Sequence, residues 1–539
     1  MHRYALPLLL LASCASCAPG ERADAGERLE LTRTPFTSVH ADLLDFELDG
    51  TLIADTNEPG ALRTLIEAQL LFTTGQLNGE HSVGQLGRLE VSAIDASLIV
   101  VPPVPEPVPE PAPPPAPTYT VTYHAKLPVA WGGANQPASY SFTLPARTSQ
   151  AAQLAFASKY GATCVAPAGG NVEAGSMFLF YRPHQQGCTL AAEDVVTFAA
   201  TVTTSGVNTQ GKSPEYHRVW ADAALEVVAM FSHQLTAPAP DDEGVLAYED
   251  FVWRVHQYLE QLQPNHAKRS EPAGLSPSGA GASAVRLAAE LPDGRTVAIH
   301  VKLVSHALSD DGASFDAWYD AVTPKADVVL YNGHAGLGAN VKTLMSKGSF
   351  VSGQYLMWYA NGCDTFAYVD RTLADRRALL NPDDPTGTKY MDTVTNVLAG
   401  FFGALVPTSF ALLRALVDAR DASRPPKTYE EIFQNVDPSQ IAVVTGEEDN
   451  FLQPLPPAPH PEGESLETSH PAGPSQPLAT LPTPPPDDPE SAVARALENL
   501  PGGGTGGGCS VSRPAGTDGR LGLLAALATL ALCRRRRPH

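Results

Sequence analysis

Two short stretches carry residues that together can do chemistry. Gly333-His334-Ala335-Gly336 follows the unbroken apolar run Val328 to Tyr331, and Asn361-Gly362-Cys363 follows the apolar run Tyr355 to Ala360. An imidazole beside a thiol is the minimal set for nucleophilic acyl transfer, in which the thiol attacks and the imidazole moves its proton to the leaving group. Apolar runs bounded by turn residues are the pattern of strands buried on both faces of a parallel sheet. Ala339 to Ser346 can form a short helix between them. The unit therefore reads β-loop-α-β, whose right-handed crossover makes the strands parallel. Both loops then leave the carboxyl edge, where open α/β sheets bind ligands. His334 and Cys363 are thus a candidate base and nucleophile. The bland reading of the same two residues is a satisfied loop histidine and a buried structural cysteine.

Composition bounds the rest. The chain of 539 residues is 43% hydrophobic, enough for three or so domains with real cores. Its 49 prolines and 44 glycines are too many for one globule and cluster in linkers. A formal net charge of -22 argues against nucleic acid as a partner. There is no Gly-rich phosphate loop after a strand, no pair of Cys-x-x-Cys motifs and no His-Glu-x-x-His, so neither a cofactor nor a metal is expected.

Both ends read as targeting signals. Residues 1–13 form a short secretory signal, and Leu11-Ala12-Ser13-Cys14 resembles the lipobox of bacterial lipoproteins, which implies cleavage before Cys14 and acylation, such as palmitate, on its thiol. An ordinary signal with incidental cysteines is the alternative. At the other end Cys509-Ser510, the apolar stretch Leu521 to Leu532 and the cluster Arg534 to Arg537 resemble the C-terminal sorting signal of myxobacterial surface proteins. That resemblance implies Cys509 as the processing and anchoring point. A plain tail anchor, a short transmembrane helix, is the other reading. Either way the expectation is an exported, lipid-anchored protein at the outer membrane or cell surface. Apart from the cysteines at the two ends, Cys164, Cys188 and Cys363 remain. In an oxidising compartment Cys164 and Cys188, in one domain, are expected to pair, which leaves Cys363 as the odd thiol. Two buried free thiols are the alternative.

Along the chain, a tether at 14–34 precedes a small α+β domain at 35–101, with a strand Leu43 to Leu48, a turn at Asp49-Gly50, a helix Gly60 to Phe72 and a polar turn at Thr74 to Gly79. A polyproline spacer at 102–118 holds it off the rest. A second α+β domain, 119–214, includes a strand from Met177 to Tyr181. The main domain, 215–452, alternates strands and helices, as a mostly parallel α/β sheet requires; within it Tyr390 to Leu405 reads as a helix with one apolar face. A Pro/Gly-rich stalk, 453–508, and the sorting segment, 509–539, end the chain. Tyr216, Trp220 and Trp253 either line a pocket or pack in the core. Asp383-Asp384 and Glu447-Glu448-Asp449 read as solvated turns or calcium ligands, and Asp364 either caps a turn or orients substrate.

An apolar strand running into Gly-His-x-Gly, followed by an apolar strand running into Tyr359-Ala360-Asn361-Gly362-Cys363, resembles the caspase-like cysteine peptidases, and among them the gingipain branch. The likeness covers about Ala224 to Asn450. It implies a caspase-like α/β sandwich, a cysteine endopeptidase acting on a peptide or protein substrate, His334 as catalytic imidazole and Cys363 as nucleophile; if the crossover brings His334 to the thiol, an adjacent imidazolium is expected to hold it as thiolate. The family has Gly directly after the His, and that amide helps form the oxyanion hole; here Ala335 and Gly336 take that place, so the implied hole depends on whether an alanine fits the backbone there. A non-catalytic binding or scaffolding module on the same fold is the alternative.

Overall fold

The computed structural model describes residues 41–99, 117–133, 135–166, 172, 174–236, 239–262, 269–273, 281–421, 424–434, 442–447 and 452–459. Cys14 and Cys509, the signal and tether, most of the Pro-rich linker and stalk, and the tail after residue 459 lie outside them. The first sheet is antiparallel and holds β1 (Asp42–Ala54), β2 (Ser82–Gly84), β3 (Glu90–Leu98), β4 (Tyr119–Trp131), β5 (Ser139–Pro145) and β6 (Val195–Thr204). β1 pairs with β4 from Asp42↔Trp131 to Ala54↔Tyr119, so the two small domains expected on either side of the linker share one sheet. β3 also pairs with β4, and the ladder ends where Ile99 N–H donates to the Thr118 carbonyl at 2.7 Å. The Pro-rich stretch therefore joins two paired strands, with few N–H groups to extend their ladder.

Local signals yield to packing at two places here. Asp49-Gly50 is no turn: β1 runs through it, because a Cβ at Gly50 would lie 2.2 Å from the Tyr123 ring, and that tyrosine crosses the strand to donate to Gln69 Oε1 at 2.6 Å. The helix expected to end at Phe72 continues as Pro59–Asn78 through the supposed polar turn. A Cβ at Gly75 would lie 2.3 Å from the Phe178 carbonyl oxygen, so this glycine admits the short helix Met177–Phe180, where a strand was expected. Cys164 and Cys188 are bonded, with their Cα atoms 4.7 Å apart.

The second sheet holds β7 (Ala224–Ser232), β8 (Arg269–Glu271), β9 (Ala284–Glu290), β10 (Thr296–Val304), β11 (Val328–Asn332), β12 (Leu356–Asn361), β13 (Met391–Asn396) and β14 (Ala442–Gly446), in the order β14-β13-β12-β11-β7-β10-β9-β8. From β10 to β13 neighbours are parallel, while β14, β9 and β8 add antiparallel edges. β13 corrects the helix expected over Tyr390 to Leu405. Its residues are buried on both faces between β12 and β14, and its Thr393-Val394-Thr395 run suits a strand. The helix starts later, as Phe402–Asp418, and carries Pro407 inside it.

Side chains alternate between the faces. Val328, Leu330, Met357 and Tyr359 join a core with helices Glu243–Leu262, Phe402–Asp418 and Tyr429–Phe433. Val329, Tyr331, Leu356 and Trp358 join one that also contains Leu44, Phe46 and Leu86 of the first sheet's half. The described residues belong to one compact unit with a core common to both sheets. The fold is thus mixed α/β with two sheets. The expected transmembrane helix is corrected: among the described residues no helix is long and apolar enough to cross a membrane, and Leu521 to Leu532 lie outside them.

Replacing Cys164 and Cys188 together by Ala should lower stability by about 3 kcal/mol on the chain-entropy model. Chemical denaturation should show the same loss when the wild type is fully reduced.

Candidate active site

Three neighbouring parallel strands end on asparagine. Asn361 Nδ2 donates to Asn332 Oδ1 at 3.0 Å, Asn396 Nδ2 donates to Asn361 Oδ1 at 3.0 Å, and Ser409 Oγ donates to Asn332 Oδ1 at 2.6 Å. This row fixes the carboxyl ends of β11, β12 and β13. Beyond it the His334 and Cys363 loops touch through glycines. A Cβ at Gly362 would lie 2.4 Å from the Gly333 carbonyl oxygen, and one at Gly333 would lie 1.9 Å from Ser232 Oγ. Only glycine allows these approaches, so sequence positions 29 apart meet at the carboxyl edge, beside the switch in strand order between β7 and β11.

His334 is 2% exposed. Its Nε2–H donates to the Gln234 carbonyl at 2.9 Å, its backbone N–H donates to Ser232 Oγ at 3.2 Å, and its ring meets Phe402 edge-on at 5.3 Å. Burial pushes its pKa down to about 4, with the His306 ring adding to the fall and the Gln234 carbonyl and Asp242 opposing it. The imidazole is therefore neutral at neutral pH. This corrects the expected imidazolium and leaves Nδ1 as the basic nitrogen.

Cys363 is in no disulfide among the described residues, is 2% exposed, and its thiol donates to the Gly400 carbonyl at 3.7 Å. The segment Val397 to Phe402, which runs from β13 to the first residue of the next helix, thus touches both candidate groups. The Leu398 carbonyl also accepts the Asp364 N–H at 3.1 Å. Ala335 sits at φ -65°, ψ -22°, an ordinary helical conformation, so the position does not need glycine. Gly336, at φ 62°, does occupy the left-handed region.

Asp364 caps no turn with its side chain. It is buried, and its Oδ1 accepts from Asn78 Nδ2 at 3.0 Å, from the end of the long helix in the first sheet's half. Burial raises its pKa to about 6 against the opposing effects of Asn78 and Arg182. Tyr216 and Trp220 are core residues, whereas Trp253 is 48% exposed. Asp384 is buried and organises its own turn by accepting from Gly387 N–H at 2.9 Å and Lys389 N–H at 3.0 Å. Glu448 and Asp449 lie outside the described residues. Sequence reading passed over Gln234, His306 and the asparagine row, although Tyr-Asn-Gly-His and Ala-Asn-Gly-Cys repeat the Asn-Gly pair at both strand ends.

No family model, no curated protein and no solved structure matches the chain.

The Asp364 shift has a definite sign. A carboxyl with a raised folded pKa stabilises the fold fully below its unfolded pKa near 4, and that stabilisation is lost as pH rises through about 6. The isosteric Asp364→Asn keeps the acceptor for Asn78. Urea titrations should show wild-type stability falling relative to this variant by roughly 3 kcal/mol between pH 3.5 and 7.

Proposed function

We propose that the chain is a surface-anchored cysteine peptidase-like hydrolase on a caspase-like fold, with Cys363 as nucleophile and His334 as general base. The observation that carries this reading is the glycine-to-glycine contact that abuts the two loops at the carboxyl ends of two parallel strands. A neutral imidazole oriented by a backbone carbonyl supports it, because such a ring accepts a proton at Nδ1. The ordinary backbone at Ala335 supports its amide, with that of Gly336, as oxyanion donors.

In the proposed reaction Sγ bonds to a peptide carbonyl carbon while the thiol proton moves to His334 Nδ1. The C–N bond then breaks, and that proton leaves with the amine. Water, deprotonated by the same imidazole, hydrolyses the thioester and restores the thiol. Because the base is neutral, proton transfer accompanies attack, and no preformed ion pair is required. Peptide or protein is the substrate class. Lipid on Cys14, with processing at Cys509, would hold the protein at the outer membrane or cell surface, a reading that rests on the sequence alone.

A second reading, a non-catalytic binding or scaffolding module, is favoured by the burial of both groups beneath Val397 to Phe402. A peptidyl chloromethyl ketone discriminates. It should label Cys363 alone, identified by peptide mass mapping, and His334→Ala should slow labelling about 100-fold. The exposed His124, paired with Asp49, serves as control, and His124→Ala should leave the rate unchanged. Equal rates in wild type and His334→Ala would remove His334 from the chemistry.

The covering segment gives a separate expectation. Phe402→Ala removes the ring over His334 and should speed labelling of Cys363 at unchanged pH, followed by the same mass measurement. Slower labelling in that variant would mean that Phe402 supports the site rather than shutting it.

A further inference from the structure

Gln234, just past the end of β7, offers one carbonyl oxygen to two imidazoles. His334 Nε2 lies 2.9 Å from it and His306 Nδ1 lies 3.0 Å from it, with the two ring centroids 4.3 Å apart and the planes tilted by 55°. We propose that His306 is a positioning residue for His334, the two rings gripping one carbonyl oxygen so that His334 is held as its Nε2–H tautomer with Nδ1 free. This deepens the hydrolase reading and rests on it only for the rate of thiol chemistry.

The tautomer follows from what a carbonyl can do. It accepts and never donates, so each nitrogen that bonds to it must carry the hydrogen, and its two lone pairs suit two donors. His334 is thereby Nε2–H and His306 is Nδ1–H. The frame behind the rings is equally converged. Asn340 Nδ2 donates to the His306 carbonyl at 3.0 Å and to the His334 carbonyl at 2.9 Å, while the Tyr331 hydroxyl donates to the latter at 2.6 Å. Asn340 Oδ1 accepts the Leu308 N–H at 2.9 Å, tying the segment after β10 to the loop after β11. Gln234 is itself fixed by Asp242, whose carboxylate accepts the Gln234 N–H at 2.9 Å and the Leu235 N–H at 2.8 Å.

Charge acts in the same direction. The charged groups that act on His334 are His306 and Asp242, and the neighbouring His233 feels Asp242, Asp311 and His306. A proton on either ring places a cation against the other, so His306 helps keep His334 neutral, with Nδ1 unprotonated. Without His306 the shared carbonyl keeps one ring, the repulsion disappears and His334 can turn.

Selective 15N labelling of the histidines, in the full chain, reads the ring tautomers by two-bond proton–nitrogen correlation. His334 should show the Nε2–H pattern in the wild type and in His306→Asn, whose amide can still donate. In His306→Ala it should show mixed tautomers, the acid limb of Cys363 labelling should move to higher pH, and labelling at neutral pH should slow about fivefold to tenfold, the worth of one lost hydrogen bond. His306→Phe fills the volume without a donor and gives the same readout if the alanine variant does not fold. An unchanged Nε2–H pattern in the donor-free variant overturns the proposal whatever the rate does. The failure of the hydrolase reading shows separately, as His334→Ala leaving labelling unaffected.

Discussion

Much of this fold depends on satisfying three buried amides at one edge of one sheet. An asparagine side chain brings two donors and an acceptor into the interior, and a buried group without a partner costs roughly 1–3 kcal/mol. Asn332, Asn361 and Asn396 meet that demand by bonding along the strand ends, with Ser409 on one flank and the Thr365 hydroxyl accepting the Asn396 N–H. The arrangement works in one register only, since a slip by one residue would turn every amide to the opposite face. The loops that follow start from fixed points, and glycines allow them to touch.

The site so built is closed. Both candidate groups are 2% exposed, and the segment from Val397 to Phe402 contributes a carbonyl to one and an aromatic edge to the other. Closure strengthens local electrostatics and accounts for the neutral imidazole, because an imidazolium without bulk water would need a partner that the Gln234 carbonyl alone does not supply. Entry of a peptide therefore requires the segment to move. Its residues have no ladder of their own, and such stretches open at lower free energy than core strands.

Legibility followed burial symmetry. β11 and β12, apolar on both faces, stand out as unbroken runs, and the loops after them were found for the same reason. β13 was hidden. Val394, Val397, Leu398 and Phe401 mimic a helical face by spanning a strand and the segment after it, so one period covered two elements. The Pro-rich stretch misled in another way, since composition describes a chain's stiffness and not whether its two ends are paired. His306 and Gln234 were invisible because one acts through a ring that needs a tertiary partner and the other through its backbone oxygen, which is common to every residue. Asp364 was seen beside the thiol and read as capping a turn or orienting substrate, whereas its partner Asn78 lies 286 positions away.

That long-range contact also bears on how the molecule comes into being. β6 closes the first sheet at Thr204, and both cysteines of the disulfide precede it, so a chain emerging amino end first can complete this half before Cys363 exists. Asn78 and Gln85 then stand as docking points for Asp364 and for the Val369 carbonyl. The early half is a template on which the later loop is cast, and direction of synthesis becomes direction of assembly.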